Sequence, residues 1–400
     1  MTDTILILGN GFDIAMDRKT KYTDFIEFEK QLFSNPDEKL LEFLKAKNIS
    51  IEKYKDNLYL KFINENKVTL GDNWSNLEIM ISQLADAIMY FKENNILYNE
   101  NMNEPNKRHS EGLKEKLLKD NNAYAKIFVV DNFSKLFYEK NWRLLQREVA
   151  LEKLNNEFIN QLDLLIELLE IYLSYIDFLD FEVRNIKSKP TALDAIPDLS
   201  HTYVLNFNYT NTSGYLFETS EERTHFIHGR INLDRTFSRI NTMVFGIEDK
   251  ENDVNSDLIP YQKYYQRVVK ETGTKFEEFF KPVYEYSNVG IAKSFPKNII
   301  IFGHSVDPLD KEIFQNCFKL VDIVSEQNRM FKYRFIFTYF DEPAKRSIIK
   351  NLAIILGKEK LIELTGKQNV VFVKSDDMEG MKDALPVSYT HLTLPTICSV

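Results

Sequence analysis

The 400-residue sequence has only two cysteines, Cys317 and Cys398, which excludes a four-cysteine zinc site and a disulfide framework. Cysteine this sparse fits a reducing compartment. Glycine and proline are also scarce, at 13 and 11 residues, which argues against a strand-and-turn sandwich and for long helices. Positive charge is in deficit, with 51 Lys and Arg against 60 Asp and Glu and a net charge of -9. A general nucleic-acid binder carries a basic footprint, so nucleic acid is disfavoured as a partner. No long uninterrupted apolar run occurs. The most apolar region, Leu162 to Phe181, is broken by Asp163, Glu167, Glu170, Asp177 and Asp180, which argues against a bilayer span. The opening MTDTILILGN has an acidic start and too short an apolar stretch for a secretory signal, so a cytoplasmic protein without a membrane partner is expected. The G-x-x-x-x-G-K-[ST], G-x-S-x-G and H-E-x-x-H signatures are missing, which excludes P-loop hydrolysis, the nucleophile elbow and the zinc-protease pair. Asp13, Asp307 and Asp310 do not form a recognised nuclease carboxylate set.

What is present is apolar residue, 44% of the chain, enough for one large core or a core with a sizeable insertion. Thr4 to Leu8 is a continuous apolar run ending in Gly9, the pattern of a strand buried on both faces. Further strands are predicted at Thr202–Phe207, Thr242–Phe245, Asn298–Phe302, Tyr333–Tyr339 and Val370–Val373, with helices at Asp310–Glu326 and Glu342–Leu356 between the later ones. Alternating strands and helices predict an open α/β sheet. The interval from Tyr22 to Pro190 differs: Leu151, Leu154, Phe158, Leu162, Leu165, Leu168 and Leu169 recur mostly at steps of three and four, so a large helical insertion after the first strand is predicted. Its polar, Asn-rich stretch Glu93–Lys116 and a second stretch Glu248–Asp257 read as surface loops. The expected organisation is a nucleotide-binding core of residues 1–22 and 190–385, a helical insertion of residues 23–189, and a tail of residues 386–400. That tail contains PVSYTHLTLPT, which reads as the translation of a transposase sequencing adapter. The natural C-terminus is therefore expected to be missing or altered after about Leu385, and His391 and Cys398 are set aside.

Four motifs follow predicted strands or carry paired histidines. In Leu8-Gly9-Asn10-Gly11-Phe12-Asp13 the glycines permit a sharp turn and a close ligand, and a following helix N-terminus favours anions. Ile14 stands where a third fingerprint glycine would be, and Asp13 would repel a pyrophosphate, so Asp13 accepts ribose hydroxyls or caps the helix. Asn206-Phe207-Asn208-Tyr209-Thr210 places amides beyond a strand end, to fix a water or a ribose hydroxyl or to close an Asx-turn. In His225-Phe226-Ile227-His228-Gly229, alternation sends the two histidines to opposite faces, and Gly229 leaves space beside His228. Gly303-His304-Ser305-Val306-Asp307-Pro308-Leu309-Asp310 offers a serine and loop amides for phosphate or ribose, or two helix-start acids.

The series GNGFD, NFNYT, HFIHG, MVFGIED (Met243–Asp249) and IFGHSVDPLD resembles the AbiH family of phage abortive-infection proteins over residues 3–375, and Asn73-Trp74-Ser75-Asn76-Leu77-Glu78 resembles its tryptophan-plus-acid element. That family is similar to the sirtuin-like fold. The resemblance implies an α/β, Rossmann-like (sirtuin or DHS type), open and mostly parallel sheet with the insertion after its first strand. It implies an anti-phage protein that cleaves NAD or a related nucleotide at the N-glycosidic bond, as a glycohydrolase-like hydrolase, with Asn208 and His228 catalytic. The ligand contacts implied are Gly9, Asn10, Gly11, Phe12, Asp13, Tyr209, Gly303, His304, Ser305 and Asp307. Thr210 departs from the aspartate of the sirtuin pattern, and the deacetylase zinc ribbon has no counterpart. No further cofactor or metal is expected: NAD or a related nucleotide is substrate or ligand. A non-catalytic nucleotide sensor and an effector acting on nucleic acid are the alternatives. The phage trigger and any homo-oligomer stay open.

Overall fold

The central strands of the main sheet carry apolar residues on both faces, and both faces are covered. In β1 (Asp3–Leu8), Ile5 and Ile7 point into one core cluster and Leu6 and Leu8 into another, all four fully buried. Burying one such side chain is worth roughly 1.5–3 kcal/mol, so a strand with four has no stable exposed alternative. The structure is a computed structural model that describes residues 3–66, 74–94, 96–99, 104–106, 113–234, 241–247, 256–286, 292–328 and 331–385. The predicted loop Glu248–Asp257 lies mostly outside the described residues, Glu93–Lys116 partly so, and the suspected adapter tail of residues 386–400 wholly so.

After β1 come α1 (Asn10–Ala15), α2 (Tyr22–Ser34), α3 (Glu38–Ala46), α4 (Leu58–Glu65), α5 (Trp74–Asn94), α6 (Leu113–Leu118), α7 (Ala123–Glu139) and α8 (Arg147–Asp177). Then follow β2 (Tyr203–Asn206), α9 (Thr212–Phe217), β3 (Thr224–Phe226), α10 (Lys263–Val269), β4 (Tyr284–Tyr286), β5 (Ala292–Ser294) and β6 (Lys297–Phe302). The last elements are α11 (Lys311–Gln327), β7 (Tyr333–Tyr339), α12 (Glu342–Leu356), α13 (Lys358–Gly366), β8 (Val370–Lys374) and α14 (Met378–Ala384).

The chain divides into two units, one of residues 1–18, 184–227 and 273–400, the other of residues 19–183 and 228–272. The first holds an open sheet of six strands in the order β3-β2-β1-β6-β7-β8, every neighbouring pair parallel. From β1 the chain adds strands outward to β3, then returns past β1 to β6 and continues outward the other way. Parallel neighbours need crossovers, which put helices on both faces. One face packs on α11, α12 and α13 through Phe314, Phe318, Val321, Leu352 and Leu364, the other on α1 and α14 through Phe12 and Met381. A separate antiparallel pair joins β4 to β5.

The second unit is organised by α8, whose buried face runs through Leu154, Phe158, Leu162, Leu165, Leu169 and Tyr172. Phe25 and Phe28 of α2 pack on Tyr172, and Phe43 of α3 on Tyr175. Asp37 and Asn57 cap α3 and α4 by accepting backbone N–H groups. The strand predicted at Thr242–Phe245 does not form. The segment belongs to this unit, where Val244 N–H bonds the His228 carbonyl at 2.7 Å and Gln266 brackets both the N–H and the C=O of Phe245. Its apolar residues Met243, Val244 and Phe245 are buried without a ladder. Glu78, from the tryptophan-plus-acid element, pairs with Lys263 at 2.9 Å with both side chains nearly buried, a fixed contact within the unit. Among the described residues, no helix is long and apolar enough to cross a membrane.

Candidate ligand-binding site

The direction of strand addition reverses between β1 and β6, and in open α/β sheets ligands bind outside the carboxyl ends of the strands at such a reversal. Two glycine loops leave the sheet there. Gly9 N–H bonds Phe302 C=O at 3.0 Å, and Gly11 N–H bonds Gly303 C=O at 2.8 Å. A Cβ on Gly11 would sit 2.7 Å from the Gly303 Cα, and one on Gly9 2.7 Å from the His304 Cα. The close approach that these glycines permit is therefore between two backbone loops of the sheet. The Gly11 amide is spent on Gly303, and Phe12 N–H bonds Gly9 C=O at 2.9 Å, so the first turn of α1 binds inward. Phe12 itself is a core side chain, 5.6 Å from the Phe217 ring and 6.0 Å from Phe302.

Asp13 does not cap the helix. Gly9 occupies the N-cap, and Asp13 lies within α1, 1% exposed. Its Oδ2 accepts the Thr210 hydroxyl at 2.5 Å and stands 3.5 Å from Arg18 Nη1, whose side chain is also fully buried and donates to the Thr212 hydroxyl. Burial pushes the Asp13 carboxyl up, against the pull of the Arg18 guanidinium and the two threonine hydroxyls. A buried pair of this kind adds little net stability by itself, because desolvation of the two charges offsets their attraction.

The second loop reaches the same carboxylate. Asn206 Oδ1 accepts the Asn208 N–H at 2.9 Å, an Asx-turn, while Asn206 Nδ2 donates to the Thr210 carbonyl at 2.9 Å. That turn directs the Asn208 amide to Gly9 C=O at 3.0 Å and Asp13 Oδ1 at 3.4 Å. Asn208 is nearly buried, and Tyr209 beside it is half-buried.

The third loop is strained. Gly303 has φ +69°, and two residues on Val306, a fully buried β-branched residue, has φ +55°. His304 Nδ1 accepts the Val306 N–H at 2.9 Å, and its Nε2 lies 3.6 Å from Asp310 Oδ2, so the ring carries its hydrogen on Nε2. The ring stands edge-on to Phe207 at 4.4 Å and Phe314 at 5.1 Å. Asp307 caps the turn Pro308–Asp310 by accepting the Leu309 N–H at 3.0 Å, and Ser305 is exposed.

Gly9, Asp13, Asn208 and Gly303 are thus joined by direct contacts, with His304 packed against Gly9. The paired histidines separate. The strand ends at Phe226, His225 is buried in the sheet unit 5.6 Å from Phe276, and His228 is the first residue of the second unit's later segment, residues 228–272. Arg18 and Thr212 have no motif signal, because their partners lie up to 194 residues away. A charged residue flanking the GNGFD motif was the one clue.

A family model, "Bacteriophage abortive infection AbiH", matches residues 5–332, which include every one of these loops. The chain belongs to the AbiH family. Its function accordingly lies in abortive infection against bacteriophage. No curated protein and no solved structure matches this AbiH chain. Among the described residues, no group of three His, Cys, Asp or Glu side chains is arranged to hold a metal ion.

Proposed function

We propose that this AbiH chain acts in abortive infection through a nucleotide, held by a Rossmann-like sheet and cleaved at an N-glycosidic bond, with NAD or a related nucleotide as substrate. The order of the sheet carries the reading. Counting only its own strands, β3-β2-β1-β6-β7-β8 becomes 3-2-1-4-5-6, the order of dinucleotide-binding sheets, and polar loops stand at the carboxyl ends on both sides of the reversal. The first turn of α1 is closed onto Gly303, so the ligand is engaged by side chains and loop groups of Asn208, Tyr209, His304, Ser305 and Asp307 rather than by a phosphate-binding helix start. Glycosyl cleavage passes through an oxocarbenium-like state, which needs a held ribose and a placed water. Asn208 is assigned the holding of water or ribose, and His228 the general base, a group whose ordinary pKa is close to working pH.

A second reading is a switch that binds nucleotide without turnover. The internal bonding of Asn208 and Asp13 favours it, since both side chains already serve the loops that carry them. The deciding test is nicotinamide release from NAD by the purified protein beside Asn208→Ala and His228→Ala. Release by the parent alone supports the glycohydrolase. Nucleotide binding without release supports the switch, and neither binding nor release refutes both.

A further inference from the structure

Both hydrogens of the Asn208 amide are committed. Nδ2 lies 3.0 Å from the Gly9 carbonyl oxygen and 3.4 Å from Asp13 Oδ1, and these partners can only accept. The amide orientation is therefore set, with Oδ1 turned away from them. Asn208 is 8% exposed, and among the described residues no donor reaches its Oδ1. Oδ1 keeps an opening to the outside of the protein, through which a donor from outside the chain can reach it. The carboxylate that fixes this orientation is itself clamped, by Thr210 at 2.5 Å and Arg18 at 3.5 Å, with Thr212 bonded to both of those residues.

We infer that Asp13 is a positioning residue: together with the Gly9 carbonyl it locks the Asn208 amide with Oδ1 toward the ligand, so the site requires a hydrogen-bond donor, a sugar hydroxyl, at that point and rejects a phosphate oxygen there. This rests on the nucleotide reading above and sharpens it. Asp13 then takes no ribose hydroxyl itself, because its oxygens are engaged by Thr210, Asn208 and Arg18. The selectivity is asymmetric, since a site built to bond a hydroxyl loses more with an analogue that lacks it than a neutral pocket would.

The experiment is titration calorimetry of the full chain with NAD and with analogues lacking the 2′- and 3′-hydroxyls of one ribose or the other. The parent is expected to bind one analogue at least tenfold more weakly than NAD. Asp13→Asn keeps the shape and the Gly9 carbonyl but replaces the second acceptor by an amide that can turn its NH2 toward Asn208. It is expected to reduce that ratio below threefold, with affinity for the deoxy analogue itself little changed. Thr210→Val, which frees Asp13 from its shortest bond and leaves Arg18 in place, is expected to lower the ratio too and serves if Asp13→Asn does not fold. A parent that binds NAD and every analogue alike overturns the inference while the nucleotide reading stands. Full discrimination in the folded variants also overturns it, leaving Asp13 a purely structural residue. A parent that binds no nucleotide removes both the reading and the inference.

Discussion

Gly303→Ala tests whether the two strand-end loops touch as described. Gly303 has φ +69°, and a Cβ there would meet Phe12 N at 2.2 Å, Gly11 C at 2.4 Å and Gly11 Cα at 2.7 Å. All three are backbone atoms, so no side-chain rotation relieves the clash. Reaching ordinary contact, at 3.4 Å, requires α1 to retreat by about 1 Å. The left-handed conformation costs an alanine about 1–2 kcal/mol, overpacking a closed site about 1–3 kcal/mol, and stretching the Gly11 to Gly303 bond about 1 kcal/mol. Together they place Gly303→Ala about 3–6 kcal/mol below the parent. Gly273→Ala is the control: its φ is +73°, but nothing lies within 4 Å, so only the conformational cost of about 1–2 kcal/mol applies. Urea unfolding followed by far-ultraviolet circular dichroism, with unchanged denaturant dependence, measures both. Equal losses in the two variants, to within about 1 kcal/mol, would show that the loops are not in contact and refute the reasoning.

Asp13→Ala removes the acceptor of the Thr210 hydroxyl and the carboxylate 3.5 Å from the buried Arg18 Nη1, and is expected to cost about 3–5 kcal/mol in the same urea assay; a loss below about 1 kcal/mol contradicts this enclosure. His304→Ala is expected to cost about 2–3 kcal/mol, because the ring contacts with Phe207 and Phe314 vanish and the Val306 N–H loses its acceptor; a loss below about 0.5 kcal/mol contradicts this packing. Burial pulls the Lys270 amine down to about 8. Its folded value lies below the unfolded one, so from about pH 8 to the ordinary lysine range the unfolded state holds the extra proton and stability rises with pH. Parent stability relative to Lys270→Met should therefore rise between about pH 8 and pH 10, and a flat difference counts against a buried amine.

The sequence by itself determined the strands that are apolar on both faces. β1, β6 and β7 were legible because four or more consecutive buried residues have no other stable arrangement, and β8 from its apolar run Val370–Val373, of which only the two ends are buried. The helices of the second unit were legible from spacing, since the buried stripe of α8 is written in steps of three and four. The same apolar signal misled at Thr242–Phe245, where Met243, Val244 and Phe245 are buried without strand pairing and the Gln266 side chain serves the backbone, a difference that a short apolar run does not encode. Residue type and strand-end position marked Gly9, Asp13, Asn208, Gly303 and His304 as a group, but not what each one does. Only the tertiary structure set the strand order, turned the glycines toward one another, and enclosed Asp13 with Arg18, Thr210 and Thr212. The contacts around Asp13 alone join residues up to 197 positions apart, and no local propensity or spacing encodes which of several apolar strands becomes the neighbour of another. The local pattern decides what is buried, and the packing of strands decides beside what.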